Sequence, residues 1–135
     1  MTTALSSATG KRKSAIARVW LSPGTGRVTV RISKNHSVDA DAYFCRDTLR
    51  SAYRKPFVVT ETDGKYDILC RLDGGGHSGQ ADALSYGISK ALQIVDPVLR
   101  AALKDAMLLR RDPRCKERSK VGFHGARRGT QWNRR

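Results

Sequence analysis

Gly74, Gly76 and Gly79 fit the pattern G-x-G-x-x-G, and Asp96 follows twenty residues after Gly76, the separation seen in dinucleotide-binding turns. Such glycines let backbone N–H groups approach a phosphate at the start of a helix. A dinucleotide site also needs a strand after that helix, and here Asp96-Pro97 opens a further helix instead. The glycines therefore retain two readings: a backbone cradle for a phosphate, RNA phosphate included, and a tight packing turn that needs positive φ. Gly76-His77-Ser78-Gly79-Gln80 approximates a nucleophile elbow, but Gln80 occupies the position of the second glycine and no nearby acid orients His77. His36, His77 and His124 are far apart, and Cys45, Cys70 and Cys115 form no CxxC pair, so neither a zinc site nor a disulfide framework is indicated. No cofactor is expected, and nothing in these residues argues for an enzyme.

The remaining chemistry is cationic. The 135 residues carry 26 Lys and Arg against 12 Asp and Glu, a formal charge of +14. Residues 1–38 contribute +7, residues 39–109 contribute −1 and residues 110–135 contribute +8, so a neutral middle lies between two basic ends. A compact protein carries such charge at a cost unless a polyanion opposes it, which points to nucleic acid. A membrane surface fits poorly, because no apolar run approaches the roughly 20 residues needed to span a bilayer. In the last 26 residues cations alternate with Gly122, Gly125, Gly129, Phe123 and Trp132. That mixture cannot build a core but suits an extended strand whose cations meet phosphates while its rings stack.

The elements that position these residues can be read from periodicity. Ser14 to Leu21 and Arg27 to Ile32 flank Ser-Pro-Gly-Thr-Gly and predict a β-hairpin. A helix is expected over 39–54, capped by Asp39 and ending before Pro56. Phe57 to Thr60 and Tyr66 to Leu72 flank an Asp-Gly turn and predict a second strand pair. Residues 80–95 place Ala81, Leu84, Ile88, Ala91, Leu92 and Val95 on one helical face, with Ser78 as a candidate cap. Asp96-Pro97 starts another helix, whose stripe is Leu99, Ala102, Leu103, Ala106 and Met107. The expected class is α+β, a two-layer sandwich of a small mixed sheet covered by helices. Residues 1–9 read as an N-terminal extension without transit or signal character, 10–110 as the globular domain and 111–135 as an extended basic tail.

Three blocks carry a family resemblance: Thr9 to Val19 (Thr-Gly-Lys-Arg-Lys-Ser-Ala-Ile-Ala-Arg-Val), Gly74 to Ala81 (Gly-Gly-Gly-His-Ser-Gly-Gln-Ala), and Gly125 to Arg128 followed by Gln131 to Arg135. With Pro23 to Gly26 and Arg111 to Arg114 they make residues 9–135 resemble the small-subunit ribosomal protein nine family, bacterial and organellar type. The resemblance implies a left-handed βαβ crossover, binding of small-subunit rRNA in the subunit head, and a tail reaching the anticodon stem-loop of the peptidyl-site tRNA. It implies rRNA contacts by Lys11, Arg12, Lys13 and Arg18, by Gly74, Gly75, Gly76, His77, Gly79 and Gln80, and along the tail by Arg111, Arg114, Lys116, Arg118, Lys120, Arg127 and Arg128. Arg134 and Arg135 are the implied tRNA contacts. Neighbouring head proteins, family proteins seven, ten and fourteen, are the implied protein partners.

The chain departs from the family pattern at residues 31–40, at Ser119 in place of a usual lysine, and at Gly129-Thr130 within a stretch that is usually more basic. Trp132 stands for the usual phenylalanine, a change similar to some mitochondrial members, so a mitochondrial ribosome is favoured over a bacterial or plastid one.

Overall fold

The structure, a computed structural model, describes residues 4–33 and 36–132. Its sheet is mixed and five-stranded, in the order β1 (Ser6–Arg12), β2 (Ala15–Pro23), β5 (Tyr66–Asp73), β3 (Val28–Arg31), β4 (Ser37–Asp39). Helices α1 (Ala40–Tyr43), α2 (Asp47–Thr60), α3 (His77–Val95) and α4 (Arg100–Asp105) complete the α+β fold. The buried residues of β2, Ala15, Ala17, Val19 and Leu21, alternate with more exposed ones, as a sheet with one covered face requires. Helix α3 lies on β1 and β2 and supplies Ala81, Ala83, Leu84, Ile88, Ala91 and Leu92, all fully buried.

The expected hairpin is replaced by a different one. β2 pairs with β1 across the two-residue turn Lys13-Ser14, in which Lys13 takes positive φ (53°). β2 and β3 do not pair, because β5 enters between them, antiparallel to β2 and parallel to β3. Asp67 of β5 explains the detour: its carboxylate accepts N–H bonds from Thr25 (2.8 Å) and Arg27 (2.9 Å) and draws the Pro-Gly-Thr-Gly loop across the strand end. These amides also hold the Asp67 carboxyl below its usual pKa. Strand β1 begins at Ser6, inside the stretch read as an N-terminal extension. Ser-Ser-Ala-Thr lacks strand-like apolar alternation, and its strand state comes from pairing with β2 and packing under α3.

The expected helix over 39–54 is two helices, and the second runs through Pro56 to Thr60. Phe57 to Thr60 are therefore helical rather than a strand. Proline removes one helix bond, yet Tyr53, Pro56, Phe57 and Thr60 form one buried face, and that burial outweighs local propensity. Glu61 then turns left-handed (φ 53°), and the Thr62 N–H donates to Phe57 O at 3.1 Å, closing the helix. The Asp63-Gly64 turn leads from this helix into β5 instead of joining two strands. Helix α3 begins at His77 with Gly76, not Ser78, at its cap position. Asp96 caps the next segment as expected by accepting the Val98 N–H at 3.0 Å. That segment starts as a 3-10 turn (Pro97–Leu99) and α4 stops at Asp105; of the expected stripe only Leu103 is fully buried, while Ala102 and Met107 are exposed. No helix among the described residues is long and apolar enough to cross a membrane.

Two glycines set how closely α3 seats on the sheet. A Cβ at Gly10 would lie 1.9 Å from Ala83 O and 2.5 Å from Gly87 N, while one at Gly87 would meet Val19 Cγ2 at 2.8 Å. Backbone thus packs on backbone where β1 crosses α3. At the far end of β1 the β1–β2 turn borders the glycine loop, where Cβ atoms at Gly74 and Gly75 would meet Ser14 and Ala15.

Candidate nucleic-acid interface

The β1–β2 turn, the glycine loop after β5 and the first turn of α3 meet at one end of the sheet, beside the α1–α2 junction. Between them lies an open groove of about 640 Å³, bordered by Lys13, Tyr43, Arg46, Thr48 and residues 75–79. The two readings of the glycines divide by position. Gly74 and Gly75 have positive φ (68° and 66°), and their Cβ atoms would fall 2.7 Å from Ser14 O and 2.9 Å from Ala15 Cβ, so both are packing turns. Gly76 faces open space, and a Cβ on Gly79 would make only ordinary contact at 3.5 Å. Here the first-turn amides of α3, which have no carbonyl of their own helix to bind, border the groove with Lys13 and Arg46. Helix-end amides beside two cations make a surface suited to a phosphate.

The loop is braced from beneath. Gln80 is buried; its Nε2 donates to Gly74 O at 3.0 Å, and its Oε1 accepts the Tyr43 hydroxyl at 2.9 Å. Tyr43 also lies against His77, ring centroids 5.2 Å apart. Gln80 is thus a support for the loop, whereas His77 sits exposed at the groove's edge.

Arg12 is likewise turned inward. Its guanidinium pairs with Asp112 (2.9 Å) and Asp82 (3.6 Å) and donates to Arg114 O at 3.0 Å, so β1 grips the start of the tail. Asp112 is held near pKa 2, first by the Arg114 side chain and then by the Arg114 N–H and Arg12. Lys11 and Lys13, the neighbours of Arg12, are exposed, as are Arg111 and Arg114 beyond the grip. Arg18 lies mid-strand on the uncovered face of the sheet, with Asp73 at 3.4 Å.

Residues 111–132 contain no helix or multi-residue strand and bury no side chain. Lys116, Arg118, Lys120, Arg127 and Arg128 are all exposed. Glu117 draws Lys120 (2.9 Å) and Arg127 (2.8 Å) together, and both cations lower its pKa. The chain folds back locally where the His124 N–H donates to Arg128 O at 2.8 Å and Phe123 bridges Gly129. Arg134 and Arg135 lie outside the described residues. The sequence reading missed Tyr43, Arg46 and Thr48 at the groove, because only the break between α1 and α2 aims that junction at the glycine loop. It also missed Arg31 and Arg71, whose alignment with Arg18 depends on the unexpected strand order.

A packed core of neutral side chains with exposed cations beside the groove, and a cationic tail tied to the body by the Arg12–Asp112 pair, agree with a match obtained by comparison with known families. The family described as ribosomal protein S9/S16 matches residues 10–135, and the chain belongs to that family.

Proposed function

We propose that this ribosomal protein is a structural constituent of the small subunit, binding rRNA of the subunit head and extending its tail to the peptidyl-site tRNA. The observation that carries the reading is the separation of charge by structure: the groove end and residues 111–132 are cationic and exposed, while the core is neutral and packed. Lys11, Lys13 and the Gly76–Gly79 backbone meet rRNA phosphates, and Gly74, Gly75 and Gln80 hold that backbone in place. Arg12 directs the tail as it leaves the body. Arg111, Arg114, Lys116, Arg118, Lys120, Arg127 and Arg128 then line its path through rRNA. Arginine forks bind two phosphate oxygens and stay charged, so the contacts position RNA without reading its sequence.

Arg134 and Arg135 reach the tRNA anticodon stem-loop in this reading, and family proteins seven, ten and fourteen are the neighbours in the head. A mitochondrial ribosome is the favoured setting on account of Trp132. The protein acts by holding RNA, not by catalysis. Deleting residues 134–135 tests the tail: the truncated chain should enter subunits normally while tRNA retention in the peptidyl site falls. Unchanged retention and unchanged start-site selection would remove the tRNA assignment.

A further inference from the structure

The sheet face turned away from α3 carries a feature that the groove and the tail do not account for. Arg18 of β2 stands directly opposite Arg71 of β5, and Arg71 stands opposite Arg31 of β3. Strands lie about 4.8 Å apart, so three guanidinium-bearing side chains leave the sheet across roughly 10 Å. All three point away from the core, because Ala17, Val19, Cys70 and Val30, their neighbours along the strands, are buried on the other side. Arg18 and Arg71 are half exposed, at 50% and 55% of their side chains.

Like charges placed opposite one another weaken a sheet. A single carboxylate, Asp73, relieves this row, 3.4 Å from Arg18 and 3.4 Å from Arg71. Arg31 has no carboxylate within 4.0 Å among the described residues. One step along the strands, away from the groove, Trp20 pairs with Leu69 to form a partly exposed apolar strip parallel to the arginines. One step in the other direction, Lys11 pairs with Ile16 and carries positive charge toward the β1–β2 turn.

We infer that this open face is a second RNA-contact surface, taking an unpaired rRNA segment with its phosphates on the arginine row and a base or ribose on Trp20 and Leu69. The inference rests on the ribosomal reading and extends it to residues 20, 31, 69 and 71. The charge is complementary to RNA, and its continuity through Lys11 to the groove lets one strand run from the α3 end onto the sheet. A flat indole beside a cation row suits bases, which present π-faces whatever their sequence, better than it suits an acidic protein segment.

The test uses the full chain carrying Trp132→Phe, so that fluorescence reports Trp20 alone, titrated with a 12-nucleotide oligouridylate. The account predicts saturable quenching. It also predicts that adding Arg18→Gln, Arg31→Gln and Arg71→Gln weakens binding about tenfold, abolishes the quench and lowers the salt slope by about 2, as three single-strand phosphate contacts would. The triple lysine replacement, which keeps charge and fold, should retain the slope. Equal affinity, slope and quench in the glutamine variant would overturn this surface while leaving RNA binding by groove and tail intact. Absence of saturable binding by the parent chain would overturn the ribosomal RNA reading and this surface together. In assembled small subunits, a benzophenone side chain replacing Thr29, the residue aligned with Leu69 on this face, should give a ribonuclease-sensitive adduct; an adduct to another protein would overturn the inference.

Discussion

Body and tail handle the same excess of cations in opposite ways. In the body, alongside the local pairs Arg50–Asp47 and Arg71–Asp73, ion pairs join residues distant in sequence: Arg12 reaches Asp82 and Asp112, Arg54 meets Asp41, and Arg18 shares Asp73. Each such pair fixes one element against another. In residues 111–132 the acids pair close by in sequence, apart from the Arg12 grip, and no side chain is buried. The long-range pairs of the body define geometry, whereas Arg111, Lys116, Arg118 and Arg128 of the tail are exposed with no carboxylate within 4.0 Å among the described residues. Asp112 is where the two regimes meet, since Arg12 holds it from the body and Arg114 from the tail.

The comparison predicts its largest contrast at glycine. Gly10→Val drives a side chain into the α3 backbone and should cost about 3 kcal/mol or more in urea unfolding. Gly129→Val, with nothing within 4 Å of its Cβ position, should change stability by less than about 0.5 kcal/mol. Equal effects at the two sites would erase the distinction between regions. Next in size, replacing Lys116, Arg118 and Lys120 by glutamine should weaken RNA binding about tenfold and reduce the salt slope by about 2, with the melting temperature unmoved. A fall in melting temperature would mean that these residues serve the fold after all.

Arg12→Gln sharpens the boundary between the regions. It should leave the body folded but speed proteolysis around residues 111–120 several-fold, because the grip on Asp112 and Arg114 is lost. Unchanged cleavage would show that the tail is held by something other than Arg12. The smallest effect concerns thiols. Cys70 is buried, which pushes its pKa up to about 12, whereas Cys45 and Cys115 are exposed. In native protein only the two exposed thiols should react with an aromatic disulfide reagent. The folded state holds Cys70 protonated while the unfolded chain releases its proton near pH 9, so stability should decline from about pH 9 to about pH 12. A Cys70→Ala chain should lose less stability over that window, and an identical pH dependence would refute the burial effect.

The sequence exposes what depends on local pattern. Helix α3 is legible because its apolar positions recur at helical spacing, and the tail is legible because glycine and arginine together cannot form a core. Strand β1 is not, since Ser-Ser-Ala-Thr gains its structure only from β2 and α3. The same holds for the path of β3, which turns on the Asp67 hold upon Thr25 and Arg27, and for α2, where a buried face carries a helix through Pro56. At the interface, Lys13 and the glycines stand out by type. What Arg12 and Gln80 do depends on Asp112, Tyr43 and Gly74, partners that sequence order does not place beside them.

The central claim, that this chain works as an RNA-held part of the small subunit, is tested most directly by sedimenting native cell or organelle extract through sucrose at moderate and high salt and probing the fractions for the chain. The account predicts comigration with small subunits and whole ribosomes that ribonuclease abolishes, and the extract in which this occurs identifies the compartment. A chain found only in the light fractions, indifferent to ribonuclease, would contradict it.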